Sequence, residues 1–202
     1  MQQETTAGNP LSSTSADVKL MQNDGSGNSS MAGAAKARRP IDCGDLDMRI
    51  ARDGTWYYRG SPIGRLPLVK LFASVLRREA DGGYWLVTPA ERGRIAVEDV
   101  PFVAVELTAI GEKRDQQLIF RTNLDEIVTA GPDHPLRVET APSGEPSPYI
   151  LVRCGLEARL TRAVFYELVE FADEYEIAKE TQFGVWSNRT FFPIGDPGPD
   201  WR

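Results

Sequence analysis

"DGTWYYRGSPIG", residues 53–64, returns near the other end of the chain as "FGVWSNRTFFPIG", residues 183–195. Each copy carries Gly-x-Trp-x-x-Arg and then Pro-Ile-Gly: Gly54, Trp56, Arg59 and Pro62 to Gly64 in one, Gly184, Trp186, Arg189 and Pro193 to Gly195 in the other. The offset is 130 residues over the first part and 131 over the second, so one inserted loop residue aligns them. Asp-Gly between β-prone runs is a hairpin signal. The first copy therefore reads as a hairpin over 47–64, "DMRIA" and "TWYYRG" joined at Arg52-Asp53-Gly54, with the second as a matching hairpin. A repeated turn of this kind is a repeated packing unit. The chain is expected to hold two related α+β modules whose Trp turns lie close together.

Working outward, a helix is expected from Leu66 to about Ala80, with Pro67 in the first turn, where a missing N–H costs nothing. Leu68, Leu71, Phe72, Val75 and Leu76 fall on one side of it. "YWLVTP" begins a strand that Pro89 closes. The runs "RIAVEDV", "FVAVELTAIG", "QQLIFRT", "EIVTA", "LRVETA" and "YILVRCG" follow at short spacing, which predicts a mostly antiparallel sheet or partly open barrel. A second helix is expected from Thr161, its N-cap, to about Glu180. Val164, Phe165, Leu168, Phe171, Ala172 and Tyr175 would face the core, with Glu167, Glu170, Asp173 and Glu174 toward water. The two helices open alike, Arg65-Leu66 and Leu71-Phe72 against Arg159-Leu160 and Phe165-Tyr166. The expected divisions are a tail over 1–40, a first module over 41–94 and a second over 95–202.

The tail is rich in Ser, Gly, Asn, Gln and Thr with almost no large hydrophobes, so it cannot offset its ordering entropy and is expected to be disordered. Met21 and Met31 within it are alternative starts. With no apolar run of membrane length and no apolar leader, the expected compartment is the cytoplasm, without a membrane partner. Cys43 and Cys154 stand far apart with no Cys or His at metal-ligand spacing, which points to reduced thiols, no metal and no cofactor. Residues 45–95 hold nine bases against six acids, and 96–202 ten bases against nineteen acids, within a net charge of −6. A net acidic chain is a poor nucleic-acid binder. A basic first module beside an acidic second one favours docking between them, or an anionic ligand on the basic side.

Catalytic candidates are few. His134, the one histidine, lies between prolines in a polar turn without a nucleophile beside it. Glu98 and Asp99 would diverge on a strand, so one of them is expected to pair with a nearby arginine or cap the Val100-Pro101 turn. Anion binding is better supplied. Arg65 and Arg159 precede the two helices, where a cation opposes the helix dipole unless a carboxylate or an anionic ligand is near. Trp85 and Trp186 offer stacking faces or core volume. Thr88, Ser187 and Glu91 offer hydrogen bonds to a ligand or to a turn.

Residues 64–107 carry an Arg-initiated helix with Leu71-Phe72, then Leu76 to Glu79, Tyr84 to Pro89, Glu91, and Val97 to Phe102. This succession resembles the bacterial family called domain of unknown function 1285, and "EARLTRAVFYELVE" with "GVWSNRTFFPIG" extends the likeness over about residues 44–197. The chain departs from the family pattern at Asn188-Arg189, where a glycine-containing turn is expected. The resemblance implies a duplicated core, a second domain loosely like the pleckstrin-homology fold, and an inter-domain cleft for a nucleotide-like ligand in signal transduction. On this reading the protein is a non-catalytic sensor of a small anionic effector, held by Arg65, Trp85, Thr88, Glu91, Glu98, Asp99, Arg159, Trp186 and Ser187. The alternatives are a structural or protein-interaction module and, third, an enzyme acting on a phosphoester through Glu91, Glu98 or Asp99.

Overall fold

The computed structural model describes residues 39–140, 144–177 and 180–195. The expected tail thus lies outside the described residues, apart from Arg39 and Pro40. The first sheet is built from β1 (Ile41–Ile50), β2 (Trp56–Tyr58), β3 (Ser61–Pro62), β4 (Leu76–Arg78), β5 (Tyr84–Val87) and β6 (Glu91–Val97), with α1 (Leu66–Ser74) between β3 and β4. The second contains β7 (Phe102–Ile110), β8 (Gln117–Thr122), β9 (Ile127–Thr129), β10 (Leu136–Thr140), β11 (Pro146–Arg153) and β12 (Leu156–Leu160). Then come α2 (Arg162–Val169) and a three-stranded sheet of β13 (Asp173–Ile177), β14 (Glu180–Ser187) and β15 (Thr190–Pro193). Among the described residues the fold is α+β, dominated by strands, with two short α-helices.

The two large sheets share one strand order. The first runs β3-β2-β1-β6-β5-β4 and the second β9-β8-β7-β12-β11-β10. In both, the first and last strands pair in parallel at the centre, β1 with β6 and β7 with β12, while every other neighbour is antiparallel. The helix placement differs, since α1 joins the third and fourth strands of the first sheet and α2 follows the last strand of the second. One apolar cluster joins the sheets, drawing Ile50, Trp56 and Leu76 from the first, Phe102, Phe120 and Leu156 from the second, and Val185 and Ile194 from the third.

Both Trp segments form hairpins, as expected. Ile50 pairs with Trp56 across the Asp-Gly turn, and Trp186 pairs with Phe191. Asn188 and Arg189 both take left-handed backbone, φ 51 and 61, so the Asn-Arg pair makes the tight turn without glycine. Arg59 and Gly60 do the same between β2 and β3, φ 48 and 77. The registers differ, however: Pro62 lies opposite Tyr57, whereas Pro193 lies opposite Gly184. The surroundings differ too. Trp56 is buried and stacks on Phe72 at 6.3 Å between centroids, while Trp186 meets the edge of Tyr175 at 5.1 Å and lies 5.4 Å from Phe191. Each Trp thus belongs to its own aromatic group. The shared glycine also answers to two constraints: Gly54 has φ +84 and a Cβ there would sit 2.5 Å from Asn123 Nδ2, whereas a Cβ on Gly184 would sit 2.3 Å from the Phe192 carbonyl oxygen.

Both helices are shorter than expected. The first ends at Ser74, and its sequel Leu76-Arg77-Arg78 becomes β4, because Leu76 gains full burial by pairing with Leu86 while the two arginines stay outside. Tertiary burial overrides helix propensity there. The buried side of α1 is Val69 and Ala73, and Leu71 is exposed. The second helix starts as expected, with the Thr161 hydroxyl accepting the Val164 N–H, but ends at Val169. Beyond it, residues 173–177 pair with β14 as a strand, Tyr175 opposite Gln182, with Tyr175 turned to the aromatic group and Asp173, Glu174 and Glu176 exposed. "LEARL", residues 156–160, is β12, so Arg159 and Leu160 end a strand before the helix begins.

Candidate functional site

Between the β1–β2 turn of the first sheet and β11, β12 and α2 of the second lies a crevice of about 190 Å³. Three arginines line it: Arg52 from the turn, Arg159 from β12 and Arg162 from the first turn of α2, with Glu145, Phe165 and Tyr166 on the same walls. Asp99, in the link between β6 and β7, stands 3.5 Å from Arg52 Nε and 3.8 Å from Arg159 Nε. Both separations exceed hydrogen-bonding length. Arg159 Nε is in fact buried with no hydrogen-bond partner. A charged donor in that condition has the nearby Asp99 charge but no hydrogen bond to offset its desolvation. Tyr149 donates its hydroxyl to Asp99 at 3.1 Å, and burial, followed by the Asp99 charge, pushes the phenol above its ordinary pKa. The phenol is therefore held as a neutral donor. Arg137 lies 4.2 Å over the Tyr149 ring, and Glu157 holds that arginine firmly charged. Arg162 reaches Glu145 at 3.4 Å.

Of the expected site residues, the structure brings Glu98, Asp99 and Arg159 to this corner. Glu98 pairs with Arg49 and accepts the Arg52 backbone N–H at 3.0 Å, so Arg52 sits between the two adjacent carboxylates. Arg65 is elsewhere: it is the exposed N-cap of α1, outside the crevice walls and without an ion pair among the described residues. Arg65 thus lacks the carboxylate expected beside it, and Arg159 belongs to a strand rather than to the helix start. Thr88 and Glu91 close the β5–β6 turn, the Thr88 hydroxyl donating to the Glu91 carbonyl at 2.9 Å and accepting its N–H at 3.0 Å. Arg92 covers the Trp85 ring at 4.2 Å, and Arg114 covers Trp186 at 4.8 Å. Ser187 is fully buried, accepting the Leu118 N–H at 2.9 Å and donating to the Ala130 carbonyl at 2.7 Å. His134 is half-buried with Nδ1 3.0 Å from the Leu151 carbonyl oxygen. Arg52, Tyr149 and Arg162 were missed by sequence reasoning. A polar run around Arg52 reads only as a turn, and nothing local ties residue 52 to residue 159.

The fold and site define an α+β protein of two like-ordered sheets with an arginine-lined crevice where they meet. Residues 36–100 match the N-terminal domain, and residues 101–194 the C-terminal domain, described as a protein of unknown function, DUF1285. The chain belongs to the DUF1285 family. It is similar to a DUF1285 family protein from Silicibacter pomeroyi DSS-3, with 46% identity, a TM-score of 0.71, and coverage of 77% of this chain and 83% of that one. A DUF1285 family protein from Shewanella baltica OS155 matches at 27% identity with a TM-score of 0.48, over 62% of this chain and 91% of that one. No curated protein matches the chain. Among the described residues no helix is long and apolar enough to cross a membrane.

Proposed function

We propose that this protein is a non-catalytic sensor that binds a small anionic effector, nucleotide-like in carrying a phosphate, in the crevice of Arg52, Arg159 and Arg162, and that it serves signal transduction. The observation that carries the reading is Arg159, a guanidinium whose buried Nε lacks a hydrogen bond and lies 3.8 Å from the Asp99 carboxylate. Guanidinium groups match phosphate and carboxylate oxygens in a planar fork. At about 190 Å³ the crevice suits a phosphate-sized group better than a whole nucleotide, since sites for larger ligands run to roughly 300 Å³ and more. The anionic end would therefore enter while the rest of the effector lay along Phe165 and Tyr166.

Two finer readings of the fold belong with this one. The common strand order and the central parallel pair support the view that the two sheets are related modules, despite the different helix placement. The placement of α2 directly after the last strand of the second sheet supports a loosely pleckstrin-homology-like second module.

The test is thermal shift of the full chain against inorganic phosphate, AMP, ADP and cyclic AMP. A binder raises the melting temperature by mass action. Arg162→Ala is the informative variant, because the Arg162 side chain is 74% exposed and its loss leaves the core intact. Wild type should show a ligand-dependent rise that Arg162→Ala loses while melting normally alone. A flat response of wild type to every probe at millimolar concentration would leave the rival reading, a protein-interaction module.

A further inference from the structure

We propose that the crevice selects a singly charged oxyanion and rejects a doubly charged one, with Asp99 as the selecting residue; the inference rests on the anion-binding reading above. Arg52, Arg159 and Arg162 place three positive charges at the crevice. Asp99, flanked by the first two at 3.5 and 3.8 Å, and Glu145, 3.4 Å from the third, supply two negative ones. Glu98, at the same corner, is cancelled by its ion pair with Arg49, so one positive charge is left over. A monoanion neutralises the site, whereas a phosphomonoester dianion leaves an uncompensated negative charge beside a partly buried carboxylate, 19% exposed, where screening by water is reduced.

Asp99 is also fixed in place. Tyr149, itself buried, donates its hydroxyl to the Asp99 carboxylate, so the carboxylate does not simply swing away when an anion arrives. The two arginines are held in its field without being satisfied by it, at distances longer than hydrogen bonds. The device leaves donors available to a ligand while subtracting one unit from the charge the site accepts. Repulsion of this kind discriminates between ligands even where the attractive contacts are the same.

Phenyl phosphate and methyl phenyl phosphate separate the cases, because they share the phenyl and phosphoryl groups and carry about two and one negative charges at pH 7.5. Binding to the full chain is measured by calorimetry. Wild type should bind the monoanionic diester about tenfold more tightly than the monoester. Asp99→Asn keeps an acceptor for the Tyr149 hydroxyl and removes the charge, and should erase or reverse that preference by strengthening the monoester. Glu145→Gln, at a 67% exposed side chain, should shift the ratio the same way by less, and serves if Asp99→Asn does not fold. Benzoate should bind as the diester does, showing that charge and not phosphorus is read. A wild type that prefers the monoester, or a ratio unchanged in both variants while anions still bind, overturns the selection but spares the anion site. No binding of any probe to wild type removes both.

Discussion

Trp56 tests the core of the first sheet. Its ring is 1% exposed and stacks on Phe72 at an interplanar angle of 17°, yet its indole Nε1 is buried without a hydrogen-bond partner. Two opposing contributions therefore sit in one side chain. Truncation to alanine removes the whole ring from a packed site and should cost about 3–5 kcal/mol. Phenylalanine keeps the six-membered ring and deletes the N–H, whose unsatisfied burial costs roughly 1–3 kcal/mol. That gain offsets most of the lost packing, so Trp56→Phe should cost about 1 kcal/mol or less. Urea unfolding followed by far-UV circular dichroism reads both variants, with the midpoint shifting at constant slope if only stability changes. A Trp56→Phe variant as unstable as Trp56→Ala would refute the reasoning, because it would mean that the N–H is satisfied and that the ring shape carries the whole contribution.

Ser187→Ala should cost about 1–3 kcal/mol in the same assay, since it strands the buried Leu118 N–H and Ala130 carbonyl that the hydroxyl joins; a neutral result would mean that water reaches both. Asp53 provides a pH signature. The Thr55 backbone N–H, then its side chain, holds the Asp53 carboxyl below the ordinary 3.8, so its contribution to stability is full above that value and disappears as pH falls through the lower folded value. The difference in urea midpoint between wild type and Asp53→Asn, present at pH 7, should therefore shrink as the pH is taken below 3.8 through the lowered folded-state value, and a gap independent of pH would exclude the carboxylate charge as its source.

Local signals made part of this fold legible. Asp53-Gly54 announced the first hairpin, Thr161 the start of α2, and Pro89 and the β-branched runs the strands on either side of them. Leu76-Arg77-Arg78 and Asp173 to Ile177 misled, because each continues the apolar stripe of the helix before it and becomes a strand only through partners outside its own segment: Leu86 for one, and Trp186 and Phe191 for the other. The central parallel pairs carry no local signal whatever. Ile50 and Val97 are neighbours across 47 residues, and nothing within either segment announces the other.

The site followed the same division. Sequence supplied the kind of chemistry, arginines with carboxylates in a basic module meeting an acidic one, because charge and side-chain type do not depend on fold. It misassigned the geometry, because it tied Arg159 to a helix terminus and matched it with Arg65. In the structure, Arg159 stands on β12 opposite Val103 of the parallel strand β7, which begins just past the link that carries Asp99. Arg52 comes to the same place because β1 pairs in parallel with β6, so that the turn after β1 and the link after β6 emerge at one end of the first sheet, where the Glu98 N–H bonds to the Ile50 carbonyl at 3.0 Å. The two parallel pairings bring Arg52, Asp99 and Arg159 together. A charge cluster assembled by the closing strands of both sheets is one that neither sheet could form alone, which is why the crevice lies between them and why its residues are scattered over more than a hundred positions of the chain.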